Sequence, residues 1–351
     1  ESYNPELMYG QNYGYRSGLN NSMVQHLCSK VKKILDCVSL NPEDIVVDIG
    51  SNDSTLLRAY PNKKLSLVGF DPTGTKFKSF YPDHITLVAD FFNSKSFKNI
   101  FGNKKAKVIT SIAMFYDLED PITFIREIYD ILCEDGIWVL EQSYMPRMLE
   151  VNAFDTICHE HLEYYRLNQI HWMMEKVGFK IIGIEFNNIN GGSFSVTVAK
   201  SESSFSETPS LEKFLIDEKN KGLDTNRPYE EFRSKVFEFK IKIREFLNNI
   251  HSEKKMVLGY GASTKGNVLL HFCNITSRDI PYIAEVNTDK FGCYTPGTLI
   301  PIISEKEARN MNPDYFFVLP WHFKDFILEK ELSRTEGKVS LLFPLPSIKV
   351  F

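Results

Sequence analysis

The sequence has no apolar run approaching the roughly 20 residues that a membrane-spanning helix needs. No secretory signal opens it. Its 41 Lys and Arg face 45 Asp and Glu, a formal net charge of −4, which excludes a broad basic surface for nucleic acid or anionic lipid. The six cysteines (Cys28, Cys37, Cys133, Cys158, Cys273, Cys293) form no C-x-x-C pair. That argues against a zinc ribbon or a disulfide framework and for reduced thiols, so a cytoplasmic setting is expected. G-x-G-x-x-G, H-E-x-x-H and G-x-x-x-x-G-K-[ST] are all missing, and no repeat of solenoid period occurs.

What is present is a chain of 351 residues, longer than one hydrophobic core usually serves, so two domains are expected. Its 27 phenylalanines and 16 tyrosines suit two well-filled cores better than an aromatic ligand cage. From Asp44 to about Lys200, short β-branched runs alternate with amphipathic stretches. Strands are expected at Ile45–Ile49, Leu65–Phe70, Ile85–Val88, Val108–Ile112 and Ile137–Glu141, with helices at Thr55–Tyr60 and Pro121–Cys133, the latter capped by Asp120. This alternation implies a parallel sheet covered on both faces. Two late strands, Ile181–Phe186 and Phe194–Ala199, flank the turn Asn190-Gly191-Gly192. Ser201–Pro209 has the composition of a linker, and Leu211–Ile250 that of one long connecting helix. A second α/β unit follows, with strands Met256–Gly259, Ile280–Glu285 and Tyr315–Leu319 and a helix Asn267–Phe272. The expected division is a lead-in over 1–40, a first domain over 41–200, a linker and helix over 201–250, and a second domain over 251–351.

Three features carry chemistry. Asp48-Ile49-Gly50-Ser51-Asn52-Asp53 lies where a strand feeds a helix, and its small residues would let backbone approach a cofactor. The acid two residues before Gly50 suits an uncharged or cationic nucleoside better than a pyrophosphate. Asp71 ends the second strand, where a carboxylate commonly grips a ribose diol; Asp90 and Phe91 end the third and suit an adenine amine and ring face. The alternative for each acid is a helix cap. The run Cys158-His159-Glu160-His161 is the second feature. Were it extended, His159 and His161 would share a face, but no third metal ligand is evident. The other readings are imidazoles satisfied inside the protein, or proton transfer by a histidine that a flanking Glu orients, which is preferred. The third is Gly259-Tyr260-Gly261-Ala262-Ser263-Thr264-Lys265-Gly266, whose small residues, hydroxyls and lysine at a helix start favour an anion such as a diphosphate over a plain packing turn.

These motifs together resemble the sugar C-methyltransferases that act on nucleotide-linked 4-keto-6-deoxyhexoses. The resemblance runs through Tyr9–Gly18, Asp48–Leu57, Phe154–Tyr165, Asn190–Ser193, Gly259–Gly266, Tyr294–Thr298 and Leu319-Pro320-Trp321. It implies an α/β protein: a Rossmann-like class I methyltransferase domain followed by a second Rossmann-like domain that binds a nucleotide sugar. It implies S-adenosylmethionine as cofactor, held by Asp48, Gly50, Asn52, Asp71, Asp90 and Phe91. His161 matches the family's general base, with Glu160 and His159 assisting, and Tyr164 or Tyr165 would donate to the enolate oxygen. Tyr15, Asn190, Gly261, Ser263 and Lys265 fall on the substrate side, the reacting carbon lying in a cleft between domains. The chain departs from the family in having Cys158 for a tyrosine and His322 for an asparagine. The family's N-terminal zinc module is not in this sequence, and no metal site is expected. The implied partner is a nucleotide sugar, with neither nucleic acid nor membrane.

Overall fold

The computed structural model describes residues 8–9, 13–333 and 339–351. Two compact units emerge from the contacts. The first comprises residues up to Tyr144, Leu162–Asn187 and Ser193–Glu218; the second comprises Met145–His161, Asn188–Gly192 and the chain from Lys219 onward.

The first unit is built on seven strands: β1 (Ile45–Ile49), β2 (Ser66–Phe70), β3 (Ile85–Val88), β4 (Ala106–Ile112), β5 (Leu132–Ser143), β6 (Phe179–Asn187) and β7 (Ser193–Lys200). Their order is β3-β2-β1-β4-β5-β7-β6. β1 to β5 are mutually parallel, and β7 runs antiparallel to both its neighbours. That order and the single reversed strand are the arrangement of class I methyltransferases, a Rossmann-like α/β fold. β1 is buried along its whole length, as its apolar run predicts for a central parallel strand. The expected helix at Pro121 is present as Pro121–Ile131, and the Asp120 side chain accepts from the Thr123 N–H at 3.0 Å.

Aromatic residues fill this core. Trp138 on β5 is fully buried, packs within about 6 Å of the Phe115, Phe124 and Phe179 rings, and donates its indole N–H to Ser111 Oγ at 2.9 Å. The opposite face of β5 meets the helix Asn21–Cys37, which the sequence reading left within the lead-in. There Glu141 accepts from Lys30 at 2.7 Å and contacts His26 at 2.5 Å. Burial pushes its carboxyl up, but the His26 hydrogen bond and the Lys30 charge bring it below the ordinary range.

The second unit has six strands: β8 (Val257–Tyr260), β9 (Ile283–Glu285), β10 (Ile302–Ser304), β11 (Tyr315–Val318), β12 (Ser340–Phe343) and β13 (Lys349–Val350). Their order is β10-β9-β8-β11-β12-β13, with β13 alone antiparallel. The long connecting helix expected over Leu211–Ile250 is two helices, Leu211–Asn220 and Arg227–Ser252. The break contains Gly222 at φ +70°, which ends one helix, and Pro228, which suits the first turn of the next.

The contacts also divide the chain differently from the expected boundaries at 200 and 250, because 145–161 and 188–192 group with the second unit. The reason is apolar: the Phe154 ring packs 5.5 Å from Phe239 and 5.1 Å from Phe272, both beyond the linker.

Truncating Trp138 to Ala should destabilise the first unit by about 3–5 kcal/mol through the lost burial and the cavity left behind. Denaturant unfolding followed by tryptophan-independent circular dichroism would measure this, and a loss under about 1 kcal/mol would contradict the packing.

Candidate active site

At the carboxyl edge of the first sheet, Gly50 has φ +73°, a backbone conformation that favours glycine, and an added Cβ would lie 3.3 Å from Met114 Cγ. The turn after it is held from several sides. Asp71, buried at the end of β2, accepts from the Asn52 N–H and the Thr73 N–H, each at 2.7 Å, and from the Thr73 hydroxyl. Asn52 Oδ1 accepts from Ser17 N–H and Asp53 Oδ2 from Gly18 N–H, both at 3.0 Å, while Asn52 Nδ2 donates to the Tyr15 carbonyl at 3.1 Å. The segment at Tyr15–Gly18 therefore lies directly on the turn. Its neighbours Gly10, Gln11 and Asn12 lie outside the described residues. Asp48 is buried beneath, accepting from the Thr110 hydroxyl at 2.6 Å; burial and the Asp71 charge raise its carboxyl to about 7. Asp90 is exposed, and its carboxylate accepts from the Phe91 N–H at 2.7 Å; the Phe91 ring is 38% exposed.

In the second unit, the His159-Glu160 run is a turn rather than a strand, closed by the His161 N–H donating to the Cys158 carbonyl at 3.2 Å. The alternation that would set His159 and His161 on one face is therefore absent. His159 is exposed, while Glu160 and His161 are half-buried. His161 Nδ1 lies 2.8 Å from the Thr156 carbonyl oxygen. A carbonyl only accepts, so Nδ1 carries the proton and Nε2 has the basic lone pair. Burial, and then the Lys265 charge, lower His161 to about 4, partly offset by the Thr156 bond. Burial raises Glu160, which the Thr264 side chain and Lys265 draw back. Burial also pushes the Cys158 thiol up to about 11, so it stays a thiol at neutral pH.

Further residues close around this turn. Asp155 has no exposed surface, and its Oδ2 accepts from the Trp321 indole N–H at 2.7 Å. Lys265 Nζ donates to the Asn190 carbonyl at 3.0 Å. Gly191, next in the chain, lies so near Trp321 that a Cβ there would sit 3.2 Å from the ring. At the β8 turn, Gly261 N–H donates to the Ala284 carbonyl, and Ser263 Oγ caps the helix Thr264–Phe272 by accepting from Gly266 N–H at 3.0 Å. The Ala262 N–H is bound at 2.9 Å by Glu285, a carboxylate at the end of β9, and Lys290 donates to the Ala262 carbonyl at 2.7 Å. Both hydroxyls and the lysine read as an anion cradle thus have protein partners: Gly266 for Ser263, Glu160 for Thr264 and Asn190 for Lys265.

Comparison with known proteins accounts for both units. A family model described as a methyltransferase domain matches residues 21–184, and one described as a C-methyltransferase C-terminal domain matches residues 188–346. The chain is a methyltransferase that joins a methyltransferase domain to a C-methyltransferase C-terminal domain. Among curated relatives, the C-methyltransferase NovU of Streptomyces niveus is 26% identical over 347 residues, 99% of this chain and 82% of that protein. Solved structures with similar folds include a putative methyltransferase in complex with the Haloferax volcanii Trm112 activator (16% identity, 52% of this chain and 94% of that one, TM-score 0.41). Another is the plantazolicin methyltransferase BpumL (11% identity, 53% and 88%, TM-score 0.42).

As a methyltransferase of this fold, the enzyme takes its methyl group from S-adenosylmethionine. The first unit fits such a donor. Its strand ends offer a glycine turn with no Cβ beside Met114 and carboxylates at Asp71 and Asp90, which suit a ribose, an amine and a cationic sulfonium. Among the described residues, no cluster of three or more His, Cys, Asp or Glu is arranged to hold a metal ion.

The sequence reading missed Asp155, Thr156, Thr264 and Glu285 as individual participants. Asp155 and Thr156 lay within the motif but were silent, because their roles come from a tryptophan 166 positions away and from a backbone oxygen. Glu285 had a legible signal: an acid ending the strand after a glycine turn, the same logic that singled out Asp71.

Folding depresses the His161 pKa from its ordinary 6.5 to about 4, so across that window the unfolded chain binds a proton that the folded chain refuses. The stability contributed above pH 6.5 is therefore lost as pH falls toward 4. Nitrogen NMR of the imidazole, assigned with His161→Asn, should show the Nδ1–H neutral tautomer down to about pH 5. An imidazolium signal at pH 6 would contradict the assignment.

Proposed function

We propose that the enzyme methylates the carbon beside the ketone of a nucleotide-linked keto-deoxy sugar, with His161 as general base. The observation that carries this reading is the 2.8 Å bond from His161 Nδ1 to the Thr156 carbonyl, which leaves Nε2 as the basic nitrogen of a neutral imidazole. The relative named a C-methyltransferase supports a carbon acceptor. Carbon, unlike a hydroxyl or amine, has no lone pair and must first lose a proton.

The donor's residues in this reading are Gly50 and Asn52 on the first turn, Asp71 toward the ribose, and Asp90 and Phe91 toward the adenine, with Asp48 supporting the turn from below. When bound, S-adenosylmethionine supplies an electrophilic methyl on a positively charged sulfur. His161 takes the acidic proton and holds it on Nε2, and a positioned base of this kind is typically worth about 10²–10⁴-fold in rate. Glu160 and His159 flank that proton; Tyr164 follows on the same segment. Tyr15, Asn190, Gly261, Ser263 and Lys265 serve the nucleotide sugar, the implied substrate class, through backbone and polar side-chain contacts.

His161→Asn should abolish both methyl transfer and deuterium washout at the carbon beside the ketone, while calorimetric affinity for S-adenosylmethionine stays within about threefold. Washout that persists in this variant would remove His161 from the base role. Methyl transfer by the native enzyme without any washout would instead indicate an oxygen or nitrogen acceptor.

A further inference from the structure

The second unit surrounds one ammonium group with the chemistry described above. Lys265, second residue of the helix Thr264–Phe272, sends Nζ to the Asn190 carbonyl at 3.0 Å. Asn190 leads into Gly191, which touches Trp321; Trp321 holds Asp155 at 2.7 Å; and Asp155 begins the loop whose Thr156 carbonyl binds His161 at 2.8 Å. On the other side, the Thr264 side chain, next to Lys265, bonds Glu160. The ammonium and the base thus belong to one closed ring of contacts. One buried atom of that ring, Asp155 Oδ1, has no hydrogen-bond partner among the described residues.

We propose that Lys265 receives the oxygen of the reacting ketone and stabilises the enolate, rather than binding the diphosphate of the nucleotide. The proposal rests on the C-methylation reading and assigns the donor which that reading left open. Asn190 engages one of the three ammonium N–H groups. Charge decides between the two roles. Burial lowers Lys265, and Asp155, Cys158 and Glu160 draw it back, so the neighbourhood already contains carboxylates that would repel a group of fixed multiple negative charge. A neutral ketone meets no such repulsion. Deprotonation then creates its charges in pairs: the C–H electron pair forms the carbon–carbon double bond of the enolate, the carbonyl π pair moves onto the oxygen beside Lys265, and the proton passes to His161. Net charge is unchanged, and the attraction arises only as the reaction proceeds, which is where it accelerates the step. Burial, and then the Lys265 cation, hold His161 unprotonated at rest; that cation is compensated as the enolate forms, so the imidazole gains basicity when it needs it. Tyr165, one alternative donor, instead belongs to the first unit's core, its ring 5.5 Å from Phe115.

The test compares native enzyme with Lys265→Met, Lys265→Gln and Lys265→Arg, each checked for folding by its thermal melt. Deuterium exchange beside the ketone is followed with S-adenosylhomocysteine bound, using whichever of a panel of 4-keto-6-deoxy nucleotide sugars the native enzyme exchanges. Affinity for the corresponding free nucleoside diphosphate is measured by calorimetry. The neutral variants should lose about 100-fold or more in exchange at saturating substrate, and Lys265→Arg should recover part of it. Nucleoside diphosphate affinity should stay within about threefold in all three. Exchange at near-native rate, or a large loss of nucleoside diphosphate affinity with exchange preserved at saturation, would overturn the proposal. No exchange by the native enzyme would end the C-methylation reading itself, and is distinguishable because it needs no variant.

Discussion

A carbonyl oxygen cannot donate a hydrogen bond, and the chemistry of the second unit follows from where one such oxygen lies. The Thr156 carbonyl obliges His161 to protonate Nδ1 and to present Nε2 as its basic atom. Burial and the neighbouring ammonium then keep that imidazole neutral far below its ordinary range. Burial pushes both groups toward their uncharged forms, and Asp155, with Cys158 and Glu160, draws Lys265 back toward its ammonium.

The first unit uses its acids differently. Asp48 and Asp71 are buried and bonded within the protein, so they shape the turn at Gly50 as much as they offer charge. Ser17 and Gly18 add backbone donors to Asn52 and Asp53, which fastens the chain ahead of the fold onto the same turn. Asp90 and Phe91, unlike Asp48 and Asp71, are exposed. A site made this way is rigid beneath and open at one edge, in keeping with ligands that bind beyond the carboxyl ends of parallel strands.

Much of the fold was legible because buried parallel strands need unbroken apolar runs. Ile45–Ile49 and Ile85–Val88 are strands over the predicted residues, and the Asp120-Pro121 start signal marks a real helix. Less legible was the helix Asn21–Cys37, whose mostly polar sequence is ordered by contacts such as Lys30 and His26 to Glu141 on β5. The predicted 40-residue helix over 211–250 failed because helical spacing of apolar residues on either side of Gly222 cannot register a break at it. The grouping of Met145–His161 with the second unit was hidden for a similar reason: Phe154 finds Phe239 and Phe272 through packing, which has no period along the chain.

Local pattern therefore determined the strands, the glycine turns, the acids at strand ends and the proton-bearing run at His159–His161, since each is written in neighbouring residues. Only the tertiary structure decided that this run is a turn, which nitrogen of His161 is basic, and that Lys265 shares its surroundings. Those outcomes depend on a backbone oxygen five residues back, an indole 166 residues from Asp155, and the electrostatic cost of burying charge. None of the three is a property of any short stretch of sequence.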